Sequence, residues 1–255
     1  MMAENKILYE DNHIIVVNKS CGILTQSDYR NEKSLQDIYK DYIKGKYNKP
    51  GNVYLGIVHR LDRPVSGTVI LAKTSKAASR LSELMKSRFI LKLYCAVTVN
   101  KSSAVSSSFN LRNFQLAREK DVSRVVSNSG EKASHSYLTI MQSADSLFHV
   151  LKLNTGRKHQ IRAFFSSKGT PVIFDSKYGY PDKRPYILLH AVHTAFMHPV
   201  KKEVISVTAP FPSYFDDYCR TEFGSDYFLT FQKTLSEISE EFLLHTPNLS
   251  QNEKE

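Results

Sequence analysis

Apolar and polar residues alternate along this chain with two different periods, and the switches between them outline the elements. Ile7-Leu8-Tyr9 and Ile14-Ile15-Val16-Val17, separated by the polar Glu10-Asp11-Asn12-His13, predict a β-hairpin. Thr68-Val69-Ile70-Leu71-Ala72 reads as a β-branched strand. Phe89 to Val99 predicts a long strand with Lys92 and Tyr94 on one face and Leu91, Leu93, Cys95, Val97 and Val99 on the other. Ala133 to Met141 and Leu147 to Asn154 predict two more strands, joined by a turn at Gln142 to Ser146.

Helical spacing appears in four places. Ser34 can cap a helix whose Leu35, Ile38, Tyr39, Tyr42 and Ile43 form one buried face, ending near Gly45. Ser75 to Arg88 puts Ala77, Leu81, Leu84 and Met85 inward and Lys76, Arg80, Lys86 and Arg88 outward, a basic face that either is solvated or touches RNA. Thr155 can cap a helix with Ile161, Phe164 and Phe165 as its buried stripe and Arg162 on the stripe's border. Asp216 to His245 reads as helical and acidic, and Thr246 to Glu255 as a disordered tail. Lys101 to Ser108 reads as a Ser-rich loop, and Asn110 to Gly130, with Arg112, Arg118, Lys120 and Arg124, as a polar, irregular and mobile basic insertion. No internal repeat is present.

At 255 residues, with 41% hydrophobic and 24% charged residues, the chain can fill the core of an ordinary globular protein. No apolar run approaches the roughly 18 residues of a membrane span, so a cytoplasmic protein is expected. Cys21, Cys95 and Cys219 have neither the spacing of a disulfide framework nor that of a zinc site. The net charge of +10 is uneven: residues 216 to 255 hold nine acids and three Lys or Arg, giving −6, which leaves +16 on residues 1 to 215. The basic part suits a polyanion such as RNA.

The candidate chemistry centres on Gly56 to Lys73. His59 to Gly67 must be an irregular segment between two apolar runs, with Asp62 in its middle, Arg60 and Arg63 beside it, Pro64 fixing the backbone and Gly67 allowing a sharp return. This is a rigid loop presenting an acid, or a turn in which Asp62 bonds its own backbone. Arg162 requires a carboxylate partner where it is desolvated, and any nearby Asp or Glu would serve.

His59-Arg60-Leu61-Asp62-Arg63-Pro64-Val65-Ser66-Gly67 resembles the signature of the RluA-type pseudouridine synthases, and Thr155-Gly156-Arg157-Lys158-His159-Gln160-Ile161-Arg162 is similar to their third motif. Lys92-Leu93-Tyr94-Cys95-Ala96 resembles the second motif; Leu188 to Ala191, Phe196 to Pro199 and Glu203 to Pro210 resemble the closing strands. The resemblance runs from about residue 7 to 210, with departures. Ser20 replaces a proline after the first hairpin, His135 a threonine and Phe174 a glycine.

The resemblance implies an α+β fold, a central mixed and mostly antiparallel sheet of about eight strands flanked by helices and loops. It implies a catalytic domain, placed over 1–215; with only six residues before Ile7 no S4-type RNA-binding domain is expected ahead of it, and the composition makes 216–255 an acidic helical extension with a disordered tail. The implied activity is isomerisation of a uridine in rRNA or tRNA to pseudouridine, without cofactor or metal, by a monomer. Asp62, Tyr94 and Arg162 would be catalytic, with Arg162 paired to Asp62. His59, Arg60, Arg63, Lys92, Arg157, Lys158 and His159 would contact RNA, Arg60 filling the gap left by the displaced base. His190 and His198, beside Leu and Phe, read as core histidines rather than metal ligands. A non-catalytic RNA-binding or RNA-remodelling module of the same fold is the main alternative. A glycosidase or nuclease would want a second carboxylate near Asp62, which neither motif supplies.

Overall fold

The computed structural model describes residues 6–28, 32–101, 108–182 and 184–245. The expected Ser-rich loop falls mostly, and the expected tail wholly, outside them.

The first hairpin forms as expected, from β1 (Lys6–Glu10) and β2 (Ile14–Lys19). α1 (Leu35–Lys46) begins at a capping box, in which the Ser34 hydroxyl accepts from the Asp37 N–H and the Asp37 carboxylate accepts from the Ser34 N–H. The short β3 (Gly56–Ile57) leads through the Asp62 loop to β4 (Ser66–Ala72), and α2 (Ser75–Lys86) is capped by Thr74. β5 (Ile90–Val99), β6 (Asn110–Glu119), β7 (Val122–Val126), β8 (Glu131–Gln142) and β9 (Ser146–Leu153) follow, then α3 (Gln160–Ser167). β10 (Leu189–Met197), β11 (Val204–Thr208), α4 (Ser213–Phe223) and α5 (Tyr227–His245) complete the chain.

All eleven described strands belong to one sheet, in the order β1-β2-β4-β10-β5-β9-β8-β6-β7, with β11 on β10 and β3 on β4. Only β4 and β10 run parallel; the other pairings are antiparallel. The sheet is therefore mixed and mostly antiparallel, with more strands than the expected eight. No helix of the described residues is long and apolar enough to cross a membrane.

β5 divides the core as its alternation predicts. Tyr94 and Ala96 join β9's Leu151 and Leu153 and α3's Ile161, Phe164 and Phe165 on one face. Leu91, Leu93, Cys95 and Val97 meet Phe148 and Val150 on the other, under Phe215 and Cys219 of α4 and Tyr227, Phe231 and Ile238 of α5. Residues 216 to 245 are mostly helical, as expected, broken between α4 and α5, and four aromatic or aliphatic side chains of these helices, with the Cys219 thiol, belong to this second core.

Two expectations are overturned. Asn110 to Gly130 is an ordered hairpin, β6 and β7, on the sheet's edge. Its apolar face consists of Phe114, Leu116, Val122 and Val125, packed with Ala133, Ala163 and Tyr178. The exposed charges of its solvent face diluted that pattern in the sequence. Thr155 does not cap α3: the residue before the helix is His159, in the left-handed region at φ 53°, and no side chain caps that end. The Thr155 hydroxyl instead donates to Gln160 Oε1 at 2.7 Å and accepts from the Ser134 N–H at 2.9 Å.

Three histidines are built into the sheet as neutral rings. His149 is held between the hydroxyls of Thr98 and Thr139, each at 2.9 Å. His190 lies 2.8 Å from Ser66 Oγ, and His193 2.8 Å from Thr208 Oγ1. Burial lowers their pKa values to about 3, 4 and 4. His198 is also a core histidine, its Nδ1 accepting from the Val200 and Lys201 N–H groups.

Because an unfolded histidine titrates near 6.5, the unfolded chain binds more protons between that pH and about 4. The stability these rings confer is complete above pH 6.5 and is lost as pH falls. Between pH 6.5 and 4.5 these three rings should take on the order of 5 kcal/mol from the urea-unfolding free energy, and His59, His135 and His159, lowered likewise by burial, add to that loss. A flat stability profile across that window would show that the rings are not buried neutral.

Candidate active site

The loop from Val58 to Val65 is held along its backbone, which leaves the Asp62 side chain to be aimed. The Leu61 N–H donates to Thr25 Oγ1, which in turn donates to the Leu61 carbonyl, both at 3.1 Å. The Val65 N–H closes a turn onto the Asp62 carbonyl at 3.0 Å. The Arg63 carbonyl accepts from the Gly22 N–H at 2.8 Å and from Lys19 Nζ at 3.3 Å. At Gly67, φ is 120° and a Cβ would lie 2.2 Å from the Ala191 carbonyl oxygen, so β10 approaches too closely for any side chain.

Lys19 supports this loop from below. It is completely buried, and its three ammonium hydrogens are matched by the carbonyls of Ser20, Ile23 and Arg63 at 3.0, 2.9 and 3.3 Å. Burial lowers its pKa to about 7, against the opposing influence of Cys21 and Asp62. The path after β2 survives the exchange of proline for Ser20, because Gly22 keeps its left-handed φ of 83°.

Arg162, on the first turn of α3, connects two carboxylates. Its Nε and Nη2 donate to Asp175 at 2.7 and 2.8 Å, and its Nη1 donates to Asp62 at 3.1 Å. The guanidinium lies 4.8 Å from the centre of the Tyr178 ring. Burial works against its charge, and the two carboxylates outweigh burial, so its pKa rises. The Asp175 side chain is 1% exposed and has both oxygens on Arg162, whereas that of Asp62 is 26% exposed. Of the two acids only Asp62 is open to a substrate.

His159 completes the cluster. Its Nδ1 is 2.9 Å from the Tyr178 hydroxyl and its Nε2 is 3.7 Å from Asp62. Burial lowers its pKa to about 4, despite the pull of Asp62, so the ring is neutral near pH 7. Tyr178 also accepts from the Ser123 N–H at 2.8 Å, which ties the β6–β7 hairpin to the site. Tyr94 is 8% exposed, and burial together with the charge of Asp62 raises its pKa, keeping it a neutral phenol.

The structure thus brings together Asp62, Arg162 and His159, with Tyr94 within reach of Asp62's charge. It directs three expected RNA contacts elsewhere. His59 Nε2 accepts from the Ile70 N–H at 2.9 Å, on the edge of β4 away from β2, between its short pairings to β10 and β3, and burial lowers its pKa to about 3. Arg63 donates to the Gly22 carbonyl at 3.0 Å and pairs with Glu32. Arg157 pairs with Glu131 at 3.1 Å and donates to the Lys132 carbonyl. Arg60 is exposed and Lys158 partly so. Lys92 is half-buried, with its pKa lowered by burial, and a Cβ at Gly156 would lie 3.6 Å from its Nζ.

Sequence reasoning missed Asp175, Tyr178, Lys19 and Thr25. A signal for Asp175 existed, since a desolvated guanidinium has more N–H groups than one half-exposed carboxylate can accept. Asp175, outside the His59–Gly67 and Thr155–Arg162 motifs, shares Arg162 with Asp62, reaching it from a buried turn before Ser176–Tyr178. Among the described residues no group of three or more His, Cys, Asp or Glu could hold a metal ion.

The family model described as RNA pseudouridylate synthase matches residues 13–167. An uncharacterized RNA pseudouridine synthase, YhcT, of Bacillus subtilis (strain 168) is 32% identical over 225 residues, covering 87% of this chain and 73% of that protein. The ribosomal large subunit pseudouridine synthase C of Buchnera aphidicola subsp. Acyrthosiphon pisum (strain APS) is 29% identical, over 85% of this chain and 70% of its own. Among solved structures, human RNA pseudouridylate synthase domain containing 4 superposes with a TM-score of 0.69 at 21% identity, over 84% of this chain and 91% of that one, which shows a shared fold. The chain belongs to the RNA pseudouridylate synthase family, and its activity is that of an RNA-modifying isomerase.

Proposed function

We propose that this protein converts a specific uridine of structured rRNA or tRNA to pseudouridine, with Asp62 as the catalytic residue. The observation that carries this reading is the unequal exposure of the two carboxylates on Arg162, 26% for Asp62 against 1% for Asp175. A relative named for the ribosomal large subunit favours rRNA.

The reaction breaks the bond from the ribose anomeric carbon to uracil N1, turns the base, and forms a bond from the same carbon to C5, whose hydrogen is lost while N1 gains one. Nothing is consumed. Asp62 can attack the anomeric carbon or remove the 2′ proton, and either step needs its carboxylate ionised and aimed. Arg162 fixes that aim with a charge-assisted hydrogen bond. Tyr94 and the apolar strands exclude water and give the freed base a surface. Arg60, exposed beside Asp62, fills the stack that the target base leaves, and Lys92 and Lys158 meet neighbouring phosphates.

Asp175 does not make the site a glycosidase pair. Both its oxygens accept from Arg162 in the interior, so it can neither protonate a leaving group nor activate a water.

Asp62→Asn should abolish pseudouridine formation on an unmodified rRNA transcript, read by carbodiimide mapping, while the protein stays folded and binds the transcript. Retained isomerisation would remove Asp62 from the chemistry, and a wild-type protein that binds RNA without forming pseudouridine would favour the non-catalytic module. Tyr94→Phe should lower turnover at least about tenfold and change stability by less than about 1 kcal/mol, since its hydroxyl supports no described hydrogen bond. Wild-type turnover would reduce Tyr94 to packing. Asp175→Asn should cost about 3 kcal/mol in urea unfolding, because it leaves the buried guanidinium short of one charge. It should also slow turnover by releasing Arg162 from its seat. Unchanged stability and turnover together would show that Asp62 alone holds Arg162.

A further inference from the structure

A groove of about 600 Å³ lies outside the Asp62 cluster, with Arg88, Asn113, Gln115, Val126, Lys132 and Thr155 in its lining. It holds two cations and no carboxylate. Arg88, Asn113, Ser127 and Lys132 are exposed, and none of their side chains has a protein partner among the described residues. The Gln115 carbonyl oxygen accepts from the Gly130 N–H at 2.9 Å, which fixes the amide and leaves its NH2 group to donate. Asn113 pairs with Ser134 and Gln115 with Lys132 in the β6–β8 ladder, so these four side chains share one face of a rigid surface. Arg88, just past the end of α2, sits in the left-handed region at φ 63°.

We infer that this groove is a second RNA subsite, taking a nucleotide away from the target uridine with its phosphate on Arg88 and Lys132 and its base edge against Asn113 and Gln115. The inference rests on the proposed action on RNA. The volume suits one nucleotide. Unpaired cations set among amides and hydroxyls, with Val126, opposite Gln115, as the apolar side chain of that face, suit a phosphate and a base edge and offer little to an apolar protein segment. Thr155 links the two sites, because it lines the groove and begins the connection through Gly156, Arg157 and Lys158 to His159.

The test uses the full chain, a fluorescein-labelled unmodified rRNA transcript fragment that wild type converts, and anisotropy at several salt concentrations. Arg88→Glu combined with Lys132→Glu should weaken binding by about tenfold or more and reduce the slope of log affinity against log salt by roughly 1 to 2. KM should rise in step while kcat at saturating RNA stays within about twofold, because neither residue adjoins Asp62. Arg88→Gly is the control for folding: it removes the charge and relaxes a left-handed backbone, so it should bind more weakly while unfolding no more easily than wild type. Unchanged affinity and salt slope in the double variant would overturn the subsite, as would a fall in kcat with KM unmoved. Failure of wild type to form pseudouridine on any rRNA or tRNA would instead overturn the proposed function and leave the binding comparison standing by itself.

Discussion

A guanidinium that is almost entirely buried must have its charge answered, and the arrangement of the site follows from how Arg162 meets that demand. Asp175 answers it with a two-point contact from inside the protein, so the ion pair is complete before Asp62 is counted. The remaining Nη1 then projects at a fixed angle toward Asp62. Arg162 is in this sense a rigid donor seated on Asp175, and its position does not depend on the state of Asp62. An arginine held only by Asp62 would move whenever that carboxylate took a new partner.

Rigidity on the other side of the pair comes from main-chain accounting. The carbonyls of Leu61, Asp62 and Arg63 each have a defined donor, from Thr25, Val65, and Gly22 with Lys19. A loop whose backbone groups are satisfied internally has little reason to rearrange when substrate arrives, and the Asp62 side chain is the part left open. The same accounting explains His59, whose ring nitrogen accepts from the Ile70 N–H on the edge of β4 away from β2. A residue next to the acid in sequence thus serves the sheet.

Local patterning made most of the fold legible. The two-residue alternation of β5 placed Tyr94 on the site face and Cys95 on the other, and Ser34 marked the start of α1. The β6–β7 hairpin was hidden because an edge hairpin with one solvated face carries few apolar residues, spaced among charges. At the site, Asp62 and Arg162 could be read because each lies in a compact motif. The surplus N–H groups of Arg162 called for a second acid but did not name Asp175, whose own neighbours look like an ordinary turn. Lys19 looked like a strand's polar end, and only the folded arrangement shows three carbonyls converging on it.

Phe174 shows why the site reaches as far as the last helices. Its φ of 67° belongs to the left-handed region, which disfavours a bulky side chain by about 1 to 2 kcal/mol. What holds it there is packing: the ring is 5% exposed, meets Tyr180, Tyr186 and Tyr218 edge-on at 5.6 to 5.8 Å, and carries the Arg184 guanidinium at 3.9 Å. Tyr218 belongs to α4 and is itself anchored to Ser146 of β9 at 2.8 Å. Asp175 is the next residue after Phe174, so the packing that stabilises the strained turn also sets where Asp175 presents its oxygens. A chain of contacts therefore runs from α4 through Phe174 and Asp175 to Arg162 and Asp62. α4, outside the recognisable motifs, is thus coupled to the Asp62–Arg162 pair by packing.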